Sequence, residues 1–216
     1  MSRTALILCF TRIPKTASHF SGYTPVAAYY IKSDRLRQEP NLIIYRTAKS
    51  LDAAKLAALS IEVWLHTYAK AGISTVFADY VLQRFTLQYF DQLIADGAKQ
   101  IIVAEQDGHL LGYIAIDYHA ALPESLHALT TAAEISTLYV RARHAGSGIG
   151  SALMQQAREA VKAQDIGHIW LSVLHDNHPA LHFYRQQGFQ RQGSIWFELP
   201  GERHENYVLI QPTLPA

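Results

Sequence analysis

Three stretches decide how this chain folds. They are Glu134-Ile135-Ser136-Thr137-Leu138-Tyr139-Val140, Ala145-Gly146-Ser147-Gly148-Ile149-Gly150-Ser151, and Asn177-His178-Pro179-Ala180-Leu181-His182-Phe183-Tyr184-Arg185-Gln186-Gln187-Gly188-Phe189. The first reads as a strand running over 134–141. The second is a glycine loop opening an amphipathic helix over 148–164, with Leu153, Met154, Ala157, Ala160 and Val161 on its apolar face. Between helix and third stretch, Ile169–Leu174 is a near-continuous apolar run, the mark of a strand buried on both faces. The third stretch is a helix over 178–187, stopped by Gly188, a residue that accepts the left-handed conformation. Strand, helix and strand in this order call for a parallel crossover. The chain is therefore read as α/β (mixed α+β).

Working outward, Gln100–Glu105 and His109–Tyr118 form a hairpin around Asp107-Gly108, since Asp-Gly tolerates the positive φ of a tight turn. Upstream, Leu42–Arg46 is strand-like. Ser50 is placed to cap a helix reaching Ala69, with Leu56, Leu59 and Val63 on one stripe. Two further helices cover about 74–84 and 87–95. Residues 120–132 read as a loop. Ile195–Leu199 and Tyr207–Gln211 are the final strands. Residues 1–40 carry Pro14, Pro25 and Pro40 without sustained periodicity. They are read as an N-terminal extension with a short strand at Ala5–Phe10, before one domain over 41–216.

Composition excludes several classes. With 49% hydrophobic and 17% charged residues among 216, the chain has material for a core and lacks the signature of disorder. Nineteen basic residues against 18 acidic ones leave a net charge of +1, so no long-range field attracts nucleic acid or an anionic membrane. Cys9 is the single cysteine, which excludes a disulfide framework and fits a reducing cytoplasm. The apolar run Ala5–Phe10 is far shorter than the roughly 18 residues of a membrane span.

The glycine loop carries the first chemical signal. Helix-opening amides have no partner within the helix, and glycines let a ligand approach the backbone. Together they suit phosphate oxygens. A plain tight turn is the competing reading. A dinucleotide fingerprint fails on the spacing of the third glycine, and a nucleoside-triphosphate loop fails because no Lys-Ser or Lys-Thr follows.

The third stretch has the form Asn-x-x-Ala-x-x-Phe-Tyr-x-x-x-Gly-Phe. With the glycine loop and the strand before it, it resembles the GNAT family of acetyl-CoA-dependent N-acetyltransferases. The resemblance covers about residues 42–212 and is strongest over 134–189. It implies a central mixed sheet of about six to seven strands flanked by about four helices. It also implies that the family's fourth and fifth strands splay apart. The pantetheine arm of acetyl-CoA would pair with the backbone of Leu138, Tyr139 and Val140. Its pyrophosphate would sit on Ala145, Gly146, Ser147, Gly148, Ile149, Gly150 and Ser151. Asn177 would hold the cofactor where the fifth strand ends. Two positions depart from the pattern: Ala145 stands where Arg or Gln is usual, and Ala142 where Pro is common. Arg141 or Arg143 is placed to supply compensating charge.

The chemistry needs a neutral amine and a protonated leaving thiol. A lysine-like amine has a pKa of about 10.4, so a base helps. Glu134 stands where several family members carry one; the plain alternative is a solvated strand-end carboxylate. Tyr184, also expected against the cofactor, matches the family's general acid; its alternative is a core aromatic with its hydroxyl on a carbonyl. His175, His178 and His182 invite a metal reading, but His-Pro-Ala-Leu-His lacks the glutamate of a zinc-protease helix, so no metal is expected. Trp64 reads as core. Tyr68, Tyr80 and His175 are the candidate acceptor contacts.

The expected function is therefore acetyl transfer from acetyl-CoA to a primary amine of a small molecule. Weak likeness around Trp64–Tyr68 and Phe197–Tyr207 points to a bacterial branch that includes polyamine acetylators. The alternatives are acetylation of a protein N-terminus or lysine, and a non-catalytic acetyl-CoA-binding module. The expected partner is the amine, with neither nucleic acid nor membrane. A homodimer is in keeping with the family.

Overall fold

The structure, a computed structural model, describes residues 7–8, 42–199 and 202–213. Its elements are β1 (Ile7–Leu8), β2 (Ile44–Thr47), α1 (Ala53–Tyr68), α2 (Thr75–Arg84), α3 (Leu87–Ala95), β3 (Lys99–Gln106) and β4 (His109–Asp117). There follow β5 (Ala133–Val140), α4 (Ile149–Lys162), β6 (His168–Leu174), α5 (His178–Gln186), β7 (Gln190–Leu199) and β8 (Glu202–Pro212). The sheet runs β2-β3-β4-β5-β6-β8-β7, and β1 pairs with β5 off that path. All neighbours are antiparallel except β5 and β6, the crossover pair. The fold is mixed α/β. The extension expected over residues 1–40 lies outside the described residues apart from Ile7–Leu8, within the short strand read there.

Two cores lie on the two faces of the sheet. On one, Leu153, Met154, Ala157 and Val161 of α4 pack on Ile114, Ile116, Ile135 and Leu138. On the other, Leu56, Val63 and Trp64 of α1 and Phe90 of α3 pack on Val103, Tyr113 and Tyr139. A smaller cluster under the 120–132 loop joins Leu126 and Trp170 to Val208 and Ile210. Asp107 and Gly108 both take positive φ and close the β3–β4 hairpin. Gly112 lets β4 and β5 approach closely: a Cβ there would stand 2.6 Å from the Tyr139 carbonyl oxygen.

Two local expectations are corrected. Ser50 does not cap α1. It starts a 3-10 turn over Ser50–Asp52, and the Lys49 amide donates to the Asp52 carboxylate at 2.9 Å instead. The last two strands are far longer than read, because their polar outer faces hide the alternation. Five α-helices flank the sheet, matching the five helical stretches read along the chain, and α2 and α3 each carry their own cap, Ser74 and Thr86.

Asp52 ties the first helix to the sheet. Arg46 of β2 grips its carboxylate in a two-pronged contact of 2.7 and 3.1 Å, and also reaches Glu105 of β3. The Arg46 contact foremost, with the Lys49 amide and Lys55, holds this carboxyl well below its usual range despite burial. A depressed carboxyl stabilises the fold above its unfolded value and loses that contribution as pH falls. Asp52→Asn is expected to cost about 2 kcal/mol at pH 7, lowering Tm by about 5 °C. The gap from the parent should narrow as melts are taken at progressively lower pH below 4; an undiminished gap would show that the ion pair is not its source.

Candidate active site

β5 and β6 part almost at once. Only Ala133 pairs with Ile169 and Glu134 with Trp170, whereas β6 and β8 stay paired from His168 to Leu174. A register shift explains the divergence. Ala115 of β4 faces Thr137 while Ile116 faces Ile135, so Ser136 is an extra residue on β5. Such a bulge bends its strand and increases local twist. Beyond it, Leu138, Tyr139 and Val140 remain paired with β4, and their other edge turns toward the gap. That edge accepts a strand: Ile7 pairs with Tyr139 and Leu8 with Leu138. An amide-bearing ligand arm would use the same backbone, so it and β1 exclude one another there.

After β5, a 3-10 turn over Ala142–His144 leads into the glycine loop. Gly146 and Gly148 have φ of +76° and +86°, a region that side-chain-bearing residues rarely adopt. A Cβ on either would meet nothing within 4 Å, so the space in front of the loop is open. Gly148 is the N-cap of α4, whose first amides lack intrahelical partners by position. Ile149 anchors the loop by burying its side chain in the core. The Ser147 hydroxyl donates to the His144 carbonyl at 2.6 Å, and the Gln187 amide donates to the Ser151 hydroxyl at 3.2 Å. The site thus offers main-chain donors, an open approach and a strand edge in one run, which fits a pyrophosphate with a peptide-like arm. Arg141 does not compensate for Ala145: its guanidinium is paired with Glu62 of α1 at 2.9 Å. Arg143 is exposed beside the loop.

Asn177 lies at the end of β6 and caps α5, its side-chain oxygen accepting from the Ala180 amide at 3.3 Å. Tyr184 on α5 is fully buried in the α4–α5 core, its ring 5.3 Å from those of Phe183 and Phe189. Glu134 sits at the last β5–β6 pairing, where the strands begin to part. Its neighbours Ala133 and Ile135 belong to the α4–α5 core, so by alternation Glu134 projects to the opposite face. Tyr184 and Glu134 therefore flank β5 from its two sides. Glu134 is not the solvated strand-end carboxylate that was the alternative. It is 1% exposed, and Oε1 has no hydrogen-bond partner among the described residues. Burial, helped by the charge of Asp117 and opposed by Lys99, pushes its pKa up to about 8.

On that second face an aromatic group joins α1, α2 and the β7–β8 hairpin. Trp64, fully buried as read, stacks on Tyr68 at 4.7 Å and lies 4.9 Å from Tyr80. Tyr80 in turn meets Phe197 edge-on at 6.3 Å. Tyr68 and Tyr80 are half-buried. Burial foremost raises the Tyr80 hydroxyl pKa. His175 lies apart from them on the end of β6, its Nδ1 3.2 Å from the Glu205 carbonyl and its ring 6.2 Å from Tyr207. His178 and His182 are exposed on α5, and no group of three metal-ligating residues gathers among the described residues.

Sequence reading missed four residues. Phe197 was not seen as part of the aromatic group. Lys99, Asp117 and Trp170 were not seen beside Glu134. For Lys99 and Asp117 the local count misleads: counting outward from the Asp107-Gly108 turn sets Lys99 opposite Ile116, and the register shift at Ala104/Glu105 brings it opposite Asp117 instead.

Residues 62–189 match the Acetyltransferase (GNAT) family. An uncharacterised N-acetyltransferase of Mycobacterium bovis is 27% identical over 161 residues, covering 74% of this chain and 97% of its own length. The streptothricin acetyltransferase of Streptomyces lavendulae is 33% identical over 92 residues, which are 43% of this chain and 44% of that one. A putative ribosomal protein bS18-alanine N-acetyltransferase of Bacillus subtilis is 28% identical over 105 residues, 49% of this chain and 63% of that one. The crystal structure of the PaiA N-acetyltransferase from Thermoplasma acidophilum, in complex with coenzyme A, shares the fold. It has a TM-score of 0.62 and 19% identity, over 79% of this chain and 99% of that one. No helix among the described residues is long and apolar enough to cross a membrane. The parted strands, the glycine loop at the head of α4 and the match across residues 62–189 lead to one assignment: this chain belongs to the acetyltransferase (GNAT) family and is an acetyl-CoA-dependent N-acetyltransferase.

Proposed function

We propose that the acceptor is a primary amine on a small molecule, polyamine-like in carrying more than one cationic nitrogen, and that the enzyme works in the cytoplasm. The observation that carries this reading is the aromatic group Trp64, Tyr68, Tyr80 and Phe197 on the face where Glu134 projects. Aromatic faces attract ammonium groups, by about 0.5–2 kcal/mol each. The likeness to streptothricin acetyltransferase supports a small acceptor. A protein α-amine is the second reading, favoured by the likeness to the Bacillus subtilis relative.

In this reading Glu134 takes the surplus proton of the arriving ammonium, which leaves a nucleophilic amine. The amine nitrogen attacks the thioester carbonyl carbon, and a backbone amide near Tyr139 or Val140 donates to the developing oxyanion. The carbon–sulfur bond breaks as carbon–nitrogen forms. Tyr184 gives its hydroxyl proton to the departing thiolate, and the proton shed by the acylated nitrogen returns to the tyrosinate. Both partners meet in one ternary complex.

An amine panel read by mass spectrometry tests the acceptor. Di- and triamines should be acetylated faster than peptides presenting a free N-terminus or lysine; the reverse order would favour the protein reading, and no rise in thiol release with either, acetyl-CoA still binding, would leave only a binding module. Tyr184→Phe should lower kcat by about 100-fold with acetyl-CoA affinity nearly unchanged. Gly148→Val should instead raise the acetyl-CoA Kd in calorimetry, because it forces a side chain into a left-handed position at the mouth of the loop. Equal losses of binding in both would undo this separation of roles.

Glu134→Gln should lower kcat/KM by about 100-fold. It should also flatten a slope in stability. Folded Glu134 holds its proton up to about pH 8, the unfolded chain only to about 4.3. The parent must therefore lose stability as pH rises between those values, and the glutamine variant should lack that component of the loss in denaturant titrations.

A further inference from the structure

The pairing registers place one residue from each of four adjacent strands in a single row. Lys99 of β3 faces Asp117 of β4, Asp117 faces Glu134 of β5, and Glu134 faces Trp170 of β6. Directly opposed residues share a face of the sheet and stand close enough for their side chains to interact. The first link is a tight ion pair: Lys99 Nζ lies 2.5 Å from Asp117 Oδ2. The same ammonium reaches Asp96 at 3.5 Å, and the His119 amide donates to the other Asp117 oxygen at 3.0 Å. The inner links are different. The Glu134 oxygen Oε1 and the Trp170 indole nitrogen are both buried, and neither has a hydrogen-bond partner among the described residues. A carboxyl kept unsatisfied beside a carboxylate is costly in a purely structural role. Here it stands where the two strands part.

We propose that Asp117 and Lys99 are positioning residues that set the working pH of Glu134, the carboxylate of Asp117 holding the proton on it and the ammonium of Lys99 opposing that hold. This inference rests on the reading of Glu134 as the base. The charged groups turned toward Glu134 are few. Asp117 comes from β4 and Lys99 from β3, with Asp96 behind Lys99, while β6 contributes the neutral indole of Trp170. Asp117 disfavours a second negative charge beside it, and Lys99 favours one. The direction found for Glu134, upward with Asp117 raising and Lys99 lowering, agrees with the geometry.

The two charges act in opposite senses, which separates tuning from damage. In Asp117→Asn the ascending limb of log(kcat/KM) against pH should move down by about one unit, and in Lys99→Gln it should move up. A second readout needs no turnover: the side-chain carboxyl carbon of Glu134, followed by NMR in the full chain across pH 4–10 and assigned by its loss in Glu134→Gln. Its midpoint should shift in the same two directions. Midpoints that stay in place in both variants, or move in the same direction, overturn the proposal. If the carbon titrates as expected while Glu134→Gln retains full kcat/KM, the row stands and the reading of Glu134 as base falls.

Discussion

One strand with unequal edges governs this molecule. β5 is bonded to β4 from Glu134 to Val140, yet to β6 at two positions only. A parallel pair abandoned after two residues leaves backbone donors and acceptors in the middle of a sheet, where they demand a partner. The extra residue at Ser136 turns β5 away from β6, and beyond the bend Gly112 lets β4 stay close to β5 at Tyr139 and Val140. Everything chemical is arranged around that opening. The glycine loop lies beyond one end of β5, and the glutamate lies at the crotch.

The two sheet faces then take different tasks. The α4–α5 face supplies the loop, the cap at Asn177 and the buried Tyr184. The opposite face supplies α1, α2 and the long hairpin, with their shared aromatic group. The opening runs between the faces, so a thioester lodged there, as proposed, would be open to groups from both sides. Ordinary core packing holds Glu134 and Tyr184 in place, and both lie on regular elements, a strand and a helix.

Much of this was legible because it depends on local rules. The Asp107-Gly108 turn, the α4 stripe ending in Val161 and the Gly188 stop follow from positive φ and helical periodicity. Even the bulge left a trace. Ala133 and Ile135 share a core with Leu138 and Val140, although strict alternation would put the two pairs on opposite faces. The aromatic group was harder to read, since Phe197 joins Tyr80 from across the fold and no local pattern announces that contact. The surroundings of Glu134 were not legible either. Its burial depends on the 120–132 loop and on β6, and its charged neighbours on registers that combine across three strands. Arg141 shows the same limit: proximity in sequence suggested the loop, but Glu62 of a distant helix took the guanidinium.

The row across the sheet has an outer end in water and an inner end shut away from it. Lys99 keeps 28% of its side chain exposed, while Glu134 keeps almost none. Two strand spacings separate them, about 10 Å. That is comparable to the distance over which dissolved ions at about 0.1 M mute a charge. Counterions can gather at the lysine but not at the glutamate. With Glu134 as the proposed base, added salt would therefore loosen the cationic restraint first and move the working range toward alkalinity.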